Sequence, residues 1–254
     1  MSVPLKDQIV LVSGGGRGFG AAIVRAFARE GARVVINYRN SKEAAEDLAA
    51  DLGDRAMAAQ ADVREADSIA AMLEAVKSSF GAPTTLVHNA LADYSFNGDA
   101  RDTLTSLSAE AISSQHATAV QGAVNLIQAA LPAMETEGFG RIITVGSNLV
   151  QNPVVPYHDY TAAKAGLMAL TRTAAAELGP KGITVNMISG GLLRTTDASA
   201  ATPDAVFDLI ASSTPLRSVT TPEEAADAVL FFASPWARAV TGQNLIVDGG
   251  LVFG

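Results

Sequence analysis

Two tyrosines precede a lysine in the stretch PYHDYTAAK at positions 156–164. Tyr160 stands four positions before Lys164, and Tyr157 stands seven positions before it. On a helix both spacings bring the side chains to one face. A phenol beside an ammonium group can transfer a proton to or from a bound substrate. The pattern therefore allows three interpretations: a catalytic pair with a spare tyrosine, a choice between two acids, or ordinary packing on a helix.

A glycine-rich stretch, SGGGRGFG at positions 13–20, follows an apolar run at 9–12 and precedes an amphipathic segment. At such a strand-to-helix turn, backbone N–H groups and the helix N-terminus bind the phosphates of a nucleotide. Glycine suits the turn because its missing side chain lets a phosphate approach the backbone. The position after the first predicted strand favours a dinucleotide site over a plain tight turn.

The end of the second predicted strand indicates which dinucleotide is preferred. Folds that bind NAD commonly place an acid there to hold the ribose hydroxyls. This chain has Asn37, Tyr38 and Arg39 at that point, and no acid. Arg39 and Arg17 are suited to a 2′-phosphate, because a guanidinium group binds phosphate through two parallel hydrogen bonds. The sequence predicts NADP(H) in preference to NAD(H), unless both arginines are merely solvated.

Short apolar runs alternate with longer amphipathic segments along the chain, which is typical of βαβ units with a parallel sheet and right-handed crossovers. We predict one α/β domain over residues 1–254, with a cofactor half at about 1–145 and a catalytic and substrate half at about 146–254. The expected architecture is a single-domain Rossmann fold, a doubly wound seven-stranded parallel sheet with helices on both faces. The predicted strands are 9–12, 33–37, 56–61, 85–88, 142–146, 183–188 and 243–247. The predicted helices are 20–30, 41–52, 68–80, 109–136 (broken late by Pro132) and 157–178.

The composition excludes several classes of protein. The chain has 254 residues, of which 48% are hydrophobic and 17% charged, so it can bury a large core and is not disordered. It has no cysteine, which excludes disulfides and zinc–thiolate sites and fits a reducing compartment. The net charge of −8 argues against nucleic acid or an anionic membrane as the main partner. No secretory signal or membrane-length apolar run is evident, so we expect a cytoplasmic protein.

Together these motifs resemble the short-chain dehydrogenase/reductase family over nearly the whole chain. The glycine turn is similar to the family's TGxxxGxG motif, with serine for threonine, and Ser147, Tyr160 and Lys164 match its catalytic triad. Further matches are Asp62-Val63 to an adenine-contacting pair, Asn89-Ala90 to an NNAG motif, and Asp248-Gly249-Gly250 to the closing strand. The resemblance implies that the cofactor is held by Ser13, Gly14, Arg17, Gly18, Phe19, Gly20, Tyr38, Arg39, Asp62, Val63, Asn89, Ala90, Tyr160, Lys164, Gly191, Leu193 and Thr195.

The resemblance also implies a role for each catalytic residue. Ser147 hydrogen-bonds the substrate oxygen, and Tyr160 donates a proton to it as hydride arrives from the nicotinamide. Lys164 holds the nicotinamide ribose, and its charge is expected to lower the pKa of the tyrosine. With Ser147 at the family's offset, we expect Tyr160 to be the acid. Tyr157 and Asn148 are expected to contact the substrate, with Tyr157 as the alternative acid.

Four features depart from the family pattern. The NNAG motif reads HNAL at 88–91, with histidine first. The asparagine that the family carries on its long helix is Ala119, which cannot kink the helix through a bound water, so the proton relay from Lys164 is in doubt. The Pro-Gly pair after the sixth strand reads Gly190-Gly191. Tyr157 adds a second tyrosine–lysine spacing.

These departures divide the resemblance between two branches of the family. The Tyr-x6-Lys spacing, the histidine, ISS at 112–114 and ISGG at 188–191 are similar to enoyl-thioester reductases, whereas the first-turn glycines are similar to 3-oxoacyl reductases. We expect NADPH-dependent reduction of a 3-oxoacyl thioester or similar ketone to the 3-hydroxy product, as in fatty acid biosynthesis. The alternatives are enoyl-thioester reduction and an NADP-binding regulator that has lost turnover.

Charge bears on which carrier brings the substrate. An acidic acyl carrier protein needs a basic surface, yet the loop before the fifth strand contains Glu135 and Glu137, and Lys181 alone remains at a second docking position. A coenzyme A thioester or a small carbonyl compound is therefore an open alternative to the carrier-bound substrate.

The remaining expectations concern assembly, the lid and metals. The family builds a homotetramer through the helices predicted at 109–136 and 157–178, unless their apolar faces are buried within the monomer. The region 191–216, before the last helix, is where the family varies its lid. His116 and His158 have no partners at metal-binding spacing, so no metal site is expected.

Overall fold

Seven parallel strands form one sheet in the computed structural model, which describes residues 2–92, 94, 96 and 101–253. The strand order is β3-β2-β1-β4-β5-β6-β7. All seven predicted strands are confirmed, and their bounds differ from the predictions by at most two residues. The strands are β1 Ile9–Ser13, β2 Arg33–Tyr38, β3 Ala56–Gln60, β4 Thr85–His88, β5 Gly140–Ser147, β6 Ile183–Gly190 and β7 Asn244–Val247.

The α-helices of the described chain connect these strands. They are α1 Gly18–Arg29, α2 Lys42–Leu52, α3 Ala66–Ser79, α4 Ala109–His116, α5 Gly122–Glu137, α6 His158–Leu178, α7 Asp204–Ser213 and α8 Pro222–Ala233. Within the ranges described, none of these helices combines the length and apolar character needed to cross a membrane.

Alternate residues of the central strands pack against helices on opposite faces of the sheet. In β1, Val10 and Val12 belong to one buried cluster with α1 and α8, while Ile9 and Leu11 belong to a second with α3 and α5. Because both faces are covered, the central strands are apolar throughout rather than alternating. The chain winds outward from β1 to β3 and then from β4 to β7, so the fold is a doubly wound Rossmann fold. The carboxyl ends of β1 and β4 mark its switch point, where such folds bind ligands.

A five-residue π-helical segment, Ala117–Gln121, joins α4 to α5. The predicted break at Pro132 was wrong, because α5 continues through it to Glu137. The proline removes one backbone donor, but Ala130 and Met134 on either side are buried in the core, and this packing holds the helix together. The helix predicted at 109–136 is instead interrupted by the π-helical segment Ala117–Gln121.

The sequence analysis set no bounds for α7 and α8, although α8 carries a start signal. Thr221 and Glu224 form a capping box, in which each side chain accepts a hydrogen bond from the other residue's N–H. Pro222 occupies the first turn, where its fixed φ suits a helix. The pattern TPEE therefore predicts the N-terminus of α8 from local chemistry alone.

Candidate active site

A cavity of about 1040 Å³ opens at the carboxyl edge of the sheet, beside the switch point. The predicted site residues that line it are Gly14, Arg17, Gly18, Phe19, Gly20, Tyr38, Arg39, Asp62, Val63, Asn89, Ala90, Ser147, Asn148, Tyr157, Tyr160, Lys164, Gly191 and Leu193. Ser13 lies fully buried beneath the glycine turn. Thr195 is exposed, and its neighbour Thr196 lines the cavity instead.

Close contacts that admit no side chain shape the glycine turn. Gly14 and Gly18 have positive φ angles of 62° and 53°. A Cβ atom on Gly20 would lie 2.1 Å from the carbonyl oxygen of Gly14, so only glycine fits there. The side chain of Arg17 makes no capping hydrogen bond to α1. The N–H groups of the first helical turn are therefore left for an anionic ligand or water.

Asn89 holds this turn from the end of β4. Its Nδ2 donates to the carbonyl oxygens of Ser13 and Gly14, at 3.2 and 3.1 Å. The backbone N–H groups of Asn89 and Ala90 both donate to Ser13 Oγ, at 3.0 Å. The stretches that resemble the TGxxxGxG and NNAG motifs thus form one hydrogen-bonded unit.

Charged side chains gather where β2 and β3 end. Arg39 and Arg17 both line the cavity there. Arg64 Nε lies 2.9 Å from Asp62 Oδ1. The hydrogen bonds from Arg64 lower the pKa of Asp62 and keep its carboxylate ionised. Arg17 Nη1 lies 3.5 Å from Asp197 Oδ2, but both side chains are 64% exposed. Such an exposed ion pair contributes little, so a bound phosphate can replace it.

Ser147, Tyr160 and Lys164 meet at the cavity wall between β5 and α6. Ser147 ends β5, while Tyr160 and Lys164 lie on the first two turns of α6. All three residues are at most 6% exposed. Ser147 and Tyr160 face the same cavity, and Ser147 Oγ accepts the backbone N–H of Leu149 at 3.2 Å. Lys164 Nζ donates to the carbonyl oxygen of Val145 at 2.7 Å.

Burial determines the pKa values of Tyr160 and Lys164. It raises the pKa of Tyr160 to about 12, against the opposing effect of Ser147. Burial also lowers the pKa of Lys164 to about 8. The tyrosine pKa is therefore raised and not lowered as expected, because burial outweighs any effect of Lys164, whose Nζ lies 5.5 Å from the Tyr160 ring centre. At neutral pH Tyr160 is a protonated phenol and can donate its proton.

Aromatic rings surround the Tyr160 phenol. The Tyr94 ring stacks on that of Tyr160 with 5.1 Å between their centres, and the Phe96 ring meets Tyr160 edge-on at 5.4 Å. The Tyr157 ring lies 5.7 Å from Tyr94 and 5.8 Å from Phe96. Tyr157 therefore lines the same cavity as Tyr160, within an aromatic cluster formed by Tyr94, Phe96, Tyr157 and Tyr160.

An ion pair fixes the aromatic cluster to the start of α6. Arg101 Nη2 lies 2.9 Å from both carboxylate oxygens of Asp159, the residue before Tyr160. The Arg101 guanidinium also lies over the Tyr94 ring, 4.0 Å from its centre. On the other side, the backbone N–H of Phe96 donates to the carbonyl oxygen of Ala198 at 2.9 Å. The segment after β4 is thus attached both to α6 and to the segment after β6.

Asn148 contributes to the site through a structural bond. Its Nδ2 donates to Asp248 Oδ2 at 2.9 Å, and both residues are buried. The Asp248 carboxylate also accepts the backbone N–H groups of Gly250 and Leu251 at 3.0 Å. Asn148 lines the cavity, and one of its two amide N–H groups connects the end of β5 to the turn after β7.

The helix is distorted at Ala119 although the asparagine expected to kink it through a bound water is absent. The π-helical segment includes Ala119, and the carbonyl oxygen of this residue lies 3.0 Å from His88 Nε2. A histidine in the motif after β4 therefore contacts the backbone at the position where the resemblance led us to expect an asparagine.

Sequence reasoning did not identify several cavity residues. Tyr94 and Phe96 line the cavity and Arg101 packs against Tyr94, but all three follow β4 without a recognised motif. Their roles depend on contacts with α6, which no local pattern reveals. Leu149, Val206 and Leu209 also line the cavity and make that wall apolar. Among the described residues, no cluster of three or more potential metal ligands occurs.

Comparison with known proteins agrees with this geometry. A family model described as "Enoyl-(Acyl carrier protein) reductase" matches residues 14–252. A 3-oxoacyl-[acyl-carrier-protein] reductase of Staphylococcus aureus is 36% identical over 247 residues, covering 95% of this chain and 96% of the relative. The same-named protein of Vibrio cholerae is 34% identical over 248 residues, with 97% and 98% covered. That of Synechocystis is 33% identical over 256 residues, with 98% of each chain covered.

The chain therefore belongs to the short-chain dehydrogenase/reductase family. It is an oxidoreductase of the kind that binds a nicotinamide cofactor.

Proposed function

We propose that the protein is an NADPH-dependent reductase that converts a 3-oxoacyl thioester, or a similar ketone, into the 3-hydroxy product. The observation that carries this proposal is the arrangement of Ser147, Tyr160 and Lys164 on the wall of one cavity, where burial raises the pKa of the Tyr160 phenol and keeps it protonated. The names of the relatives support a 3-oxoacyl substrate.

The residues present fit a dinucleotide. The close approach of Gly20 to Gly14 leaves a turn without side chains, whose free N–H groups suit a pyrophosphate. Arg17 and Arg39 are suited to a 2′-phosphate, and Asp62 with Val63 to the adenine. Ala90 and Lys164 line the wall where the nicotinamide ribose would be held. In this proposal residues up to about 145 serve the cofactor, and those after it serve catalysis and the substrate.

The chemistry that the chain's own residues supply is proton donation from a buried phenol. A bound nicotinamide would supply the hydride. Ser147 hydrogen-bonds the carbonyl oxygen of the substrate and orients it toward the Tyr160 phenol. Tyr160 donates its proton to that oxygen as the negative charge develops there. The aromatic cluster buries the Tyr160 phenol, so a hydrogen bond from this phenol to the substrate acts in a medium of lower dielectric constant than water.

The described charges also bear on the substrate carrier. Lys181 Nζ lies 2.6 Å from Glu135 Oε1, so the remaining basic residue of the docking surface is paired with an acid of the same chain. The side-chain hydrogen bond from Lys181 to Glu135 also raises the pKa of the lysine. This pairing favours a coenzyme A thioester or a small ketone as a substrate in addition to the carrier-bound form.

Apolar residues that stay partly exposed on α6 and next to α5 support a homotetramer. Val120, next to α5, and Leu170 and Ala174 of α6 keep part of their apolar surface exposed to solvent in the single chain. Leu167 of the same helix is fully buried, so this residue of the predicted apolar face packs within the monomer. Light scattering on the purified protein measures the number of subunits directly.

Enoyl-thioester reduction is the second candidate. It is favoured by the position of Tyr157, which lines the cavity seven residues before Lys164, and by the description of the matching family model. In that reaction Tyr157 would be the acid. The two reactions differ in the substrate bond that accepts the hydride.

The deciding experiment follows the loss of NADPH absorbance with acetoacetyl and crotonyl thioesters in parallel, each repeated with NADH. Consumption with acetoacetyl thioester and NADPH supports ketone reduction through Tyr160. Consumption with crotonyl thioester alone contradicts it and favours the enoyl branch. NADPH binding without consumption of either substrate would identify a regulator that has lost turnover.

A further inference from the structure

His88 lies at the point where the cofactor turn meets the π-helical segment. It ends β4, is 4% exposed, and is the register partner of Ser13 in β1. Its Nδ1 lies 3.1 Å from Ser13 Oγ, and its Nε2 lies 3.0 Å from the carbonyl oxygen of Ala119. A Cβ atom on Gly122 would lie 3.4 Å from the edge of the ring, so the imidazole fits closely into its site.

The hydrogen-bond network assigns the tautomer of this ring. A carbonyl oxygen only accepts, so the proton between His88 and Ala119 belongs to Nε2. Ser13 Oγ already accepts two hydrogen bonds, from the N–H groups of Asn89 and Ala90. Its two lone pairs are therefore used, and its own proton is donated to Nδ1. A second proton on His88 would face an oxygen with no free lone pair, so the ring is neutral.

The π-helical segment in turn packs against the helix that carries the catalytic pair. A Cβ atom on Gly166 of α6 would lie 3.3 Å from Val120, so this part of the segment and α6 approach closely. Ala123 and Leu167 are fully buried in one cluster across the same contact. His88 also lies near enough to Lys164 for the charge of the ammonium to act on the imidazole. The His88 imidazole thus connects Ser13, beneath the cofactor turn, to the π-helical segment that packs against α6.

We propose that His88 is a positioning residue: as the neutral Nε2–H tautomer it couples the cofactor turn, through Ser13, to the catalytic helix, through the carbonyl of Ala119. This inference deepens the proposed function and rests on it for the effect on turnover. His88 contacts neither Tyr160 nor the substrate position directly. We therefore expect each of its two hydrogen bonds to affect a different measurable property of the enzyme. The Ser13 bond shapes the cofactor turn, and the Ala119 bond fixes the support of Tyr160 and Lys164.

Two substitutions separate the hydrogen bonds to Ser13 and Ala119, because each places a polar atom near only one of the two imidazole nitrogens. His88→Asn places an amide oxygen near the position of Nδ1 and keeps the bond to Ser13, but it cannot reach Ala119. His88→Gln places an amide nitrogen near the position of Nε2 and keeps the bond to Ala119, but it loses Ser13. We expect H88N to lower kcat about tenfold with NADPH Kd within about threefold of wild type. We expect H88Q to raise NADPH Kd about tenfold with kcat within about threefold.

Ser13→Ala removes the bond to His88 from the other side, together with the two hydrogen bonds that Ser13 Oγ accepts from Asn89 and Ala90. The S13A/H88Q double variant should bind NADPH no more weakly than the worse single variant, whereas S13A/H88N should combine both losses. Equal changes of Kd and kcat in H88N and H88Q would show a merely structural role and overturn the proposal.

A measurement on the wild-type protein keeps the test independent of variant folding. Nitrogen-15 NMR of labelled histidine distinguishes a protonated Nε2 from a protonated Nδ1, and we expect the Nε2–H form. A protonated Nδ1 overturns the proposal. If no ketone is reduced, the proposed function fails, while the tautomer and the NADPH affinities still decide the coupling of His88 to the turn.

Discussion

Tyr160 and Tyr157 line the same cavity, but their surroundings give the two phenols different chemistry. Tyr160 lies in the first turn of α6 beside Ser147, and burial raises its pKa to about 12. Tyr157 stands before the first residue of α6 and packs against Tyr94 and Phe96. The position of Ser147 and Lys164 beside Tyr160 on the cavity wall favours Tyr160 as the proton donor.

We expect Tyr160→Phe to lower kcat at least about 100-fold, because a general acid commonly contributes 10² to 10⁴ in rate. Tyr157→Phe removes a hydroxyl from the cavity wall and keeps the ring packing, so it should mainly change KM. Steady-state kinetics with acetoacetyl thioester and NADPH measures both. Full activity in Y160F together with inactivity in Y157F would transfer the role of the acid to Tyr157.

Individual site residues could be predicted wherever a motif fixes their place in the chain. The glycine turn and the triad are of this kind, since spacing along one strand or helix determines where the side chains lie. Thr195 and Asn148 show what spacing does not determine. Thr195 is exposed while Thr196 lines the cavity, and the Asn148 amide is bonded to Asp248, because folding of remote segments decides these contacts.

At the scale of elements, the first turn of α6 is held by a buried ion pair. Asp159 is nearly buried, and its carboxylate is bonded to Arg101, whose side chain is 22% exposed. Arg101 Nε and the hydroxyl of Tyr94 have no hydrogen-bond partner in the described structure. Loss of the carboxylate would therefore leave a largely enclosed cation without compensation.

We expect Asp159→Asn to lower the free energy of unfolding by about 2 kcal/mol, because breaking one side of an enclosed pair leaves the other charge unpaired. It should also raise KM, since Arg101 fixes Tyr94 against Tyr160. Replacing both partners, as in D159N/R101M, should cost less than the single change. Urea unfolding compares the variants, and an additive loss in the double variant would contradict this account.

The central strands were predictable because they are largely apolar and are buried on both faces. The π-helical segment was not, because its residues have ordinary helical periodicity. The distortion coincides with the contact between the Ala119 carbonyl and His88. Pro132 misled the prediction for the opposite reason, since core packing at Ala130 and Met134 outweighs one missing hydrogen bond.

Across the whole molecule, His88 makes stability depend on pH. Burial, and secondarily the charge of Lys164, lower the pKa of His88 from its ordinary 6.5 to about 4. Between these values the unfolded chain binds the extra proton and the folded chain does not. Stability is therefore lost as the pH falls from about 6.5 toward 4.

We expect the wild-type protein to lose about 2 kcal/mol more than His88→Asn between pH 7 and pH 5, because asparagine does not titrate. Urea unfolding at the two pH values measures the difference, and carboxylates common to both proteins cancel. Equal losses in wild type and H88N would mean that His88 titrates normally.

The surface charge of the molecule leads to a prediction about the substrate carrier. Glu135→Lys replaces an acid that pairs with Lys181 by a second base. We expect it to lower KM for a carrier-bound substrate about threefold or more, with KM for the coenzyme A thioester unchanged. Glu223→Lys, the same charge change at the exposed start of α8, is the matched control and should leave both values unchanged. An equal effect of E135K on both substrates would contradict docking at this surface.

The hydrogen bonds that build the site join residues far apart in the chain: Ser13 and His88 are 75 positions apart, and Asn148 and Asp248 are 100 positions apart. Parallel strands cannot form from local hairpins, so each of these contacts waits for the closure of a long loop. Chains dominated by such contacts fold slowly. The site and the sheet must therefore arise together late in folding, and a fragment that carries the glycine turn alone lacks the partners that give the turn its shape.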